Sequence, residues 1–135
     1  MFEDETDLLL FPPLRAAWAL RGQETPVPIS GVNAKRVVYG ILNIKTGNEH
    51  SSHTAAGTQR LATQLNMEFL WLPNRSPHLN PMDHMWRHGK EVICANWQYP
   101  TIEDQVEAFF LYLYELTPRE ALRKASVLSE NFWLD

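Results

Sequence analysis

Residues 71–87 read WLPNRSPHLNPMDHMWR. Pro73, Pro77 and Pro81 each lack an N–H and fix their own φ, so neither strand nor helix runs through 73–80, and an ordered loop is predicted there. Upstream, residues 67–72 (MEFLWL) form a short apolar run closed by Pro73, which predicts a buried strand. Downstream, Asn80 suits a helix N-cap and Pro81 the first helical position, so a helix starts at that point. Strand, locked loop and helix together deliver the Asp83 carboxylate into a first helical turn, where the helix dipole favours negative charge. Arg87 follows one turn later on the same face and Lys90 two turns later, spaced to meet phosphates. Taken alone, Asp83 reads as an ordinary capping acid; its weight comes from what surrounds it.

Working outward, the chain past Ser52 carries Thr54, Thr58, Leu61, Ala62 and Leu65 at three- and four-residue steps, a helical spacing. Residues 35–44 (KRVVYGILNI) are the clearest strand, closed by a turn at Lys45-Thr46-Gly47. Ser30-Gly31-Val32-Asn33 is read as a hairpin turn leading into it. Residues 2–11 form a strand that Pro12-Pro13 ends, and the passage LRAAWALRGQETPVP that follows is turn-rich. Toward the other end, Thr101 with Asp104 and Thr117 with Glu120 are capping boxes. The first opens an aromatic-rich helix, VEAFFLYLYEL, and the second a last helical passage to Trp133. Strands come first and helices last, in one unit spanning 1–135, which predicts a single α+β or α/β domain.

The 135 residues suffice for one domain, and 44% hydrophobic with 21% charged residues marks a globular chain. No apolar run approaches the roughly 18–20 residues that span a bilayer. The opening MFEDETD is acidic, without the basic start of a secretory signal, so a cytoplasmic location away from membranes is expected. Cys94 is the only cysteine, which excludes an internal disulfide and suits a reducing compartment. A net charge of −4 argues against nucleic-acid binding by bulk electrostatics alone. It does not exclude a DNA enzyme whose carboxylates gather divalent metal.

The 72–87 run resembles the loop of mariner-superfamily and related bacterial insertion-sequence transposases, in which LP-x-x-SP-x-LNP precedes the third catalytic acid and then a Trp. Leu72, Pro73, Ser76, Pro77, Leu79, Asn80, Pro81, Met82, Asp83, Trp86 and Arg87 match it without a gap. The opening Asp4-Glu5-Thr6, with FPPLRAAWALRG after it, looks like the family's first strand, which makes Asp4 the first acid. Ser51, Ser52, His53 and Thr54 match the family's run after the second acid. The second acid then falls at position 48, where this chain has Asn48, a degenerate second-acid position with Glu49 beside it as a substitute. Between positions 48 and 83 lie 34 residues, a spacing typical of the superfamily. The apolar strand that precedes the second acid in the family is missing, and an internal deletion of about thirty residues or more is expected to have joined the 45–47 turn to position 48.

The resemblance implies an RNase H-like fold, a mixed sheet flanked by helices, incomplete for want of the strand that carries the second acid. It implies DNA strand cleavage and transfer in transposition, with two divalent ions, Mg²⁺ or Mn²⁺, in an intact relative. Asp4 and Asp83 are the expected metal ligands, and Arg87, Lys90, His53 and Arg75 the expected DNA contacts. Transposon ends are the expected partner, with a homodimer as the assembly and the bacterial nucleoid as the place of action. The family's helix-turn-helix is expected to be absent ahead of Asp4, which implies a truncated catalytic domain, and Asn48 with the missing strand implies an inactive one.

Two other classes compete. His84 and His88 stand i, i+4 on a helix, the spacing of a zinc pair, but the acid that a zinc protease needs between them is absent. The helix with Phe109, Phe110, Leu111, Tyr112, Leu113 and Tyr114 is apolar nearly all round, so a non-catalytic interaction or nucleic-acid-binding domain is the alternative function.

Overall fold

The computed structural model describes residues 2–47, the backbone of 49–52, residues 60, 63, 64, 73 and 76, and 79–130. Asn48, His53, Arg75, residues 67–72, for which a strand is predicted, and residues 131–133 of the last helical passage lie outside the described residues; the described part of that passage is helical over Pro118–Lys124. Arg60, Thr63 and Gln64 are helical, as the spacing after Ser52 predicts.

Strand β1, Phe2–Leu9, pairs antiparallel with β2, Lys35–Leu42, in a register that runs from Phe2 opposite Leu42 to Leu9 opposite Lys35. Alternation decides which face is inside: Thr6, Leu8 and Leu10 are buried, as are Val38, Gly40 and Leu42, while Glu5, Asp7 and Leu9 are exposed. The strand predicted over 35–44 is therefore present and ends two residues early.

The connection between β1 and β2 corrects one expectation. No tight hairpin turn sits at 30–33; residues 10–34 form a long loop instead. Its two legs are clamped by one segment. Asn96 exchanges hydrogen bonds with the backbone of Arg15, and Gln98 accepts from the Ser30 N–H while donating to the Val32 carbonyl. Those bonds satisfy backbone groups that a hairpin turn would have satisfied locally.

The sheet edge corrects another. Residues 49–52 were expected to lead into a helix, but Glu49–Ser52 form β3, antiparallel to β2, giving the order β1-β2-β3. The 44–46 turn explains this: Gly47 has φ 74°, its N–H bonds the Asn43 carbonyl at 2.7 Å, and the chain reverses onto β2. A side chain at 47 would also meet the Pro118 backbone, so glycine is needed twice over.

Three helices cover the inner face. Helix α1 spans Pro81–Gly89, with Asn80 Oδ1 accepting from the Met82 N–H at 3.1 Å and Pro81 in the first turn, as the loop reading predicts. It buries Met82, Met85 and Trp86 against the sheet. Helix α2, Ile102–Glu115, and helix α3, Pro118–Lys124, open with the two capping boxes, both reciprocal bonds present in each. Phe109 of α2 is fully buried and stacks on Trp86 with ring centroids 6.0 Å apart. The opposite side of α2 is not buried: Tyr114 and Leu111 are exposed.

Between α1 and α2 the chain does something the residue spacing did not show. Lys90–Cys94 form a π-helical turn closed by the Ala95 N–H on the Lys90 carbonyl at 3.0 Å. It carries Cys94 into the core, where Gln105 Nε2 bonds both Cys94 Sγ and the Leu9 carbonyl.

Candidate active site

Asp4 sits on the inner face of β1, two residues above buried Thr6, and is half-buried. Its partner across the ladder is Gly40. A Cβ at position 40 would lie 2.8 Å from Cζ2 of Trp86 and 2.9 Å from Cε of Met82, so the bare glycine is what lets α1 seat its indole on the sheet. The seating turns the buried indole N–H toward the Asp4 carboxyl. That N–H has no partner at standard hydrogen-bond geometry, yet it favours the charged form of Asp4. The indole acts on Asp4 as a nearby dipole, its ring held in place by packing against Phe109 and the sheet.

Burial raises the Asp4 carboxyl above its ordinary value, the adjacent Glu5 N–H lowers it, and the charges of Glu5 and then Asp83 raise it. Asp83 is thus within electrostatic reach of Asp4 although 79 positions separate them in the chain. Asp83 lies in the first turn of α1 with its side chain 33% exposed, and Arg87 Nη2 donates to its Oδ2 at 2.7 Å.

Lys90 stands two turns beyond Asp83 and is half-buried, although a residue expected to contact DNA would be open to solvent. Burial lowers its ammonium, and Cys94, Asp7, Asp83 and Asp4 push the other way, so its charge belongs to the same cluster. Lys35 completes the arrangement with a 2.7 Å ion pair to Asp7. Among the described residues no cation is ion-paired to Asp4, and no three His, Cys, Asp or Glu side chains gather as a ready metal set.

Glu49 stands opposite Leu42 on β3, so a whole strand separates it from Asp4. The i, i+4 histidines do not form a free pair either. His88 has both ring nitrogens engaged, one by the Tyr112 hydroxyl and one by the Lys124 ammonium, which leaves no lone pair for zinc.

Trp86 beside Asp4 and the partner glycine at 40 are the site residues that spacing alone missed. The one available signal was a glycine inside a β-branched run, which marks close approach by another element.

Residues 48–105 match the family described as DDE superfamily endonuclease. Among solved structures, the Mos1 transposase paired-end complex with left transposon end shares the fold, with a TM-score of 0.61 at 14% sequence identity. The match covers 96% of this chain and 52% of that one, so the chain spans about half the length of that protein. No curated protein matches the chain.

Proposed function

We propose that this chain, whose residues 48–105 carry the DDE superfamily endonuclease pattern, is the RNase H-like catalytic domain of a mariner-type transposase that has lost its middle acid. One observation carries the reading: Asp4 from the first strand and Asp83 from the helix after the proline-locked loop come within electrostatic reach of each other.

The donor set fits a divalent ion in part. Two oxygen-bearing acids of like charge lie within electrostatic reach of each other, one of them half-buried and without an ion pair, an arrangement that a hard cation relieves. Asp4 and Asp83 would hold Mg²⁺ or Mn²⁺. When bound, such an ion polarises the phosphodiester and offsets charge on the departing oxygen. The chain's own residues do the rest. The Gly40–Trp86 contact fixes the height of α1 on the sheet and so the gap between the acids. Arg87 on the acid-bearing face of α1, and Lys90 where the π-helical turn continues it, draw the DNA phosphates toward that gap. Transposon-end DNA is the proposed partner, in keeping with the complex in which the Mos1 protein was solved, with a homodimer as the assembly and the nucleoid as the place of action.

Asn48 keeps an amide oxygen where the family has a carboxylate, so the charge that brings two ions together is short by one. Weak binding of a single ion and no useful nicking are expected, and Asn48→Asp alone is not expected to restore activity.

The test is Mn²⁺ binding by water-proton relaxation together with Mg²⁺- or Mn²⁺-dependent nicking of plasmid DNA. Binding that is lost in both Asp4→Asn and Asp83→Asn supports the site; binding indifferent to both removes it. Nicking at the rate of an intact relative disproves the loss of activity. Nicking abolished by Glu49→Gln would assign Glu49 the middle role.

A further inference from the structure

We propose that the neutral imidazole of His88 is a pH-sensitive tie that fastens α2 and α3 to the back of α1 and lets α3 go when the ring takes a second proton. His88 lies five residues beyond Asp83, about 140° around the helix, so it faces away from the acids. Its Nε2 stands 3.1 Å from Lys124 Nζ on α3, and its Nδ1 2.6 Å from the Tyr112 hydroxyl on α2. An ammonium has donors only, so Nε2 accepts. The single proton of the neutral ring is then on Nδ1 and is donated to the Tyr112 oxygen. Both nitrogens are used, and they join three helices through one ring.

The packing reinforces this state. The His88 and Tyr112 rings stack with centroids 6.1 Å apart, and Lys124 Nζ lies 5.9 Å from the Tyr112 ring centroid. A proton added at Nε2 replaces the acceptor with a donor and sets two positive charges against each other. The groups that face the ring are Lys124 from α3, Tyr112 from α2 and Glu91 from the π-helical turn. Burial and Lys124 favour the neutral ring, and the Glu91 charge opposes them with a smaller effect.

The sign follows. A histidine held below its ordinary value in the folded chain supports folding above that value, and the support is lost as pH falls through the lowered one. Helix α3 is the element loosened, because it buries only the small Ala121 and, at its end, Ala125, and its hold on α1 includes the Lys124 contact, whereas the larger Phe109 and Val106 anchor α2 in the core. None of this depends on whether the chain handles DNA.

The experiment is an NMR titration of the imidazole Cε1–H signals, with His88→Gln to assign them, beside amide hydrogen exchange of residues 118–125 corrected for intrinsic rates. His88 is expected to titrate below about 6.5, the usual value for histidine. Protection of α3 should fall as the ring charges, in step with the imidazole titration. Lys124→Met should move the titration back up and flatten the response. A His88 that titrates at or above the ordinary value, or α3 protection unchanged while the ring charges, overturns the proposal. Both can be read on the unmodified chain, so a variant that fails to fold leaves the question decidable.

Discussion

Arg87 Nη2 reaches Asp83 Oδ2 across 2.7 Å, one turn apart on α1, so the cation proposed to meet phosphate is already paired with the acid proposed to hold metal. Both groups meet solvent, Arg87 more than Asp83, and an exposed i, i+4 pair of this kind contributes only about 0.3–0.5 kcal/mol.

Arg87→Ala should therefore leave the fold almost intact, with a loss of stability under about 0.5 kcal/mol by urea denaturation. Its effect belongs to DNA binding. Affinity should fall for all sequences alike, and the slope of log affinity against log salt should shrink by about one. An unchanged slope would remove Arg87 from the phosphate contacts.

Gly40→Ala should destabilise the chain by about 1–3 kcal/mol, because the new methyl group collides with Trp86 and Met82 across the sheet–helix contact. Gly31→Ala is the control, since nothing lies within 4 Å of a Cβ there, and it should be close to neutral. Comparing the two urea midpoints decides whether the cost comes from the contact or from glycine replacement in general.

Asp4→Asn should stabilise the metal-free chain at neutral pH. Burial raises the Asp4 carboxyl, so its ionisation costs folding stability: the cost is absent in acid, below the ordinary carboxylate value, and grows as pH rises through the raised one. Melting curves in chelator should show the variant ahead at pH 7, with the advantage gone below about pH 4, near the ordinary carboxylate value. Added Mn²⁺ should raise the melting point of the parent and not of the variant. A variant less stable than the parent at pH 7 in chelator contradicts the assignment of burial as the dominant effect.

Gln105→Met should cost about 1–3 kcal/mol, since it leaves the Leu9 carbonyl without the side-chain donor that joins the end of β1 to α2. The Gln105 carbonyl oxygen is itself buried without a partner, so the loss should fall in the lower part of that range. Chemical denaturation reads the difference directly.

Much of the fold was legible because the signals are local. The start of α1 needs only an acceptor at Asn80 and a proline at 81, and both capping boxes need only residues three apart. The β1 and β2 strands announce themselves by composition, and the 45–47 turn by its glycine. The π-helical turn over 90–94 was not legible, nor was the β3 pairing, because each depends on how distant segments settle against one another. Lys90 shows the limit well. Its spacing from Asp83 put it on the right face, but only the packing of α1 on β1 half-buries it among Asp4, Asp7 and Asp83.

Residue order alone determined where a carboxylate enters a helix and which face of that helix is apolar; that Asp4 and Asp83 are the acids to compare came from the family resemblance. Backbone stereochemistry and hydrogen bonding act over a few residues, so those features were decided without reference to the rest of the chain. Tertiary structure alone decided that Asp83 comes within electrostatic reach of Asp4, that Trp86 stands beside Asp4, and that His88 has both ring nitrogens engaged between helices. Each of these rests on contacts between segments tens of residues apart. Their distances are set by the glycine at position 40 and by the burial of Phe109 and Trp86, and no spacing along the chain encodes them.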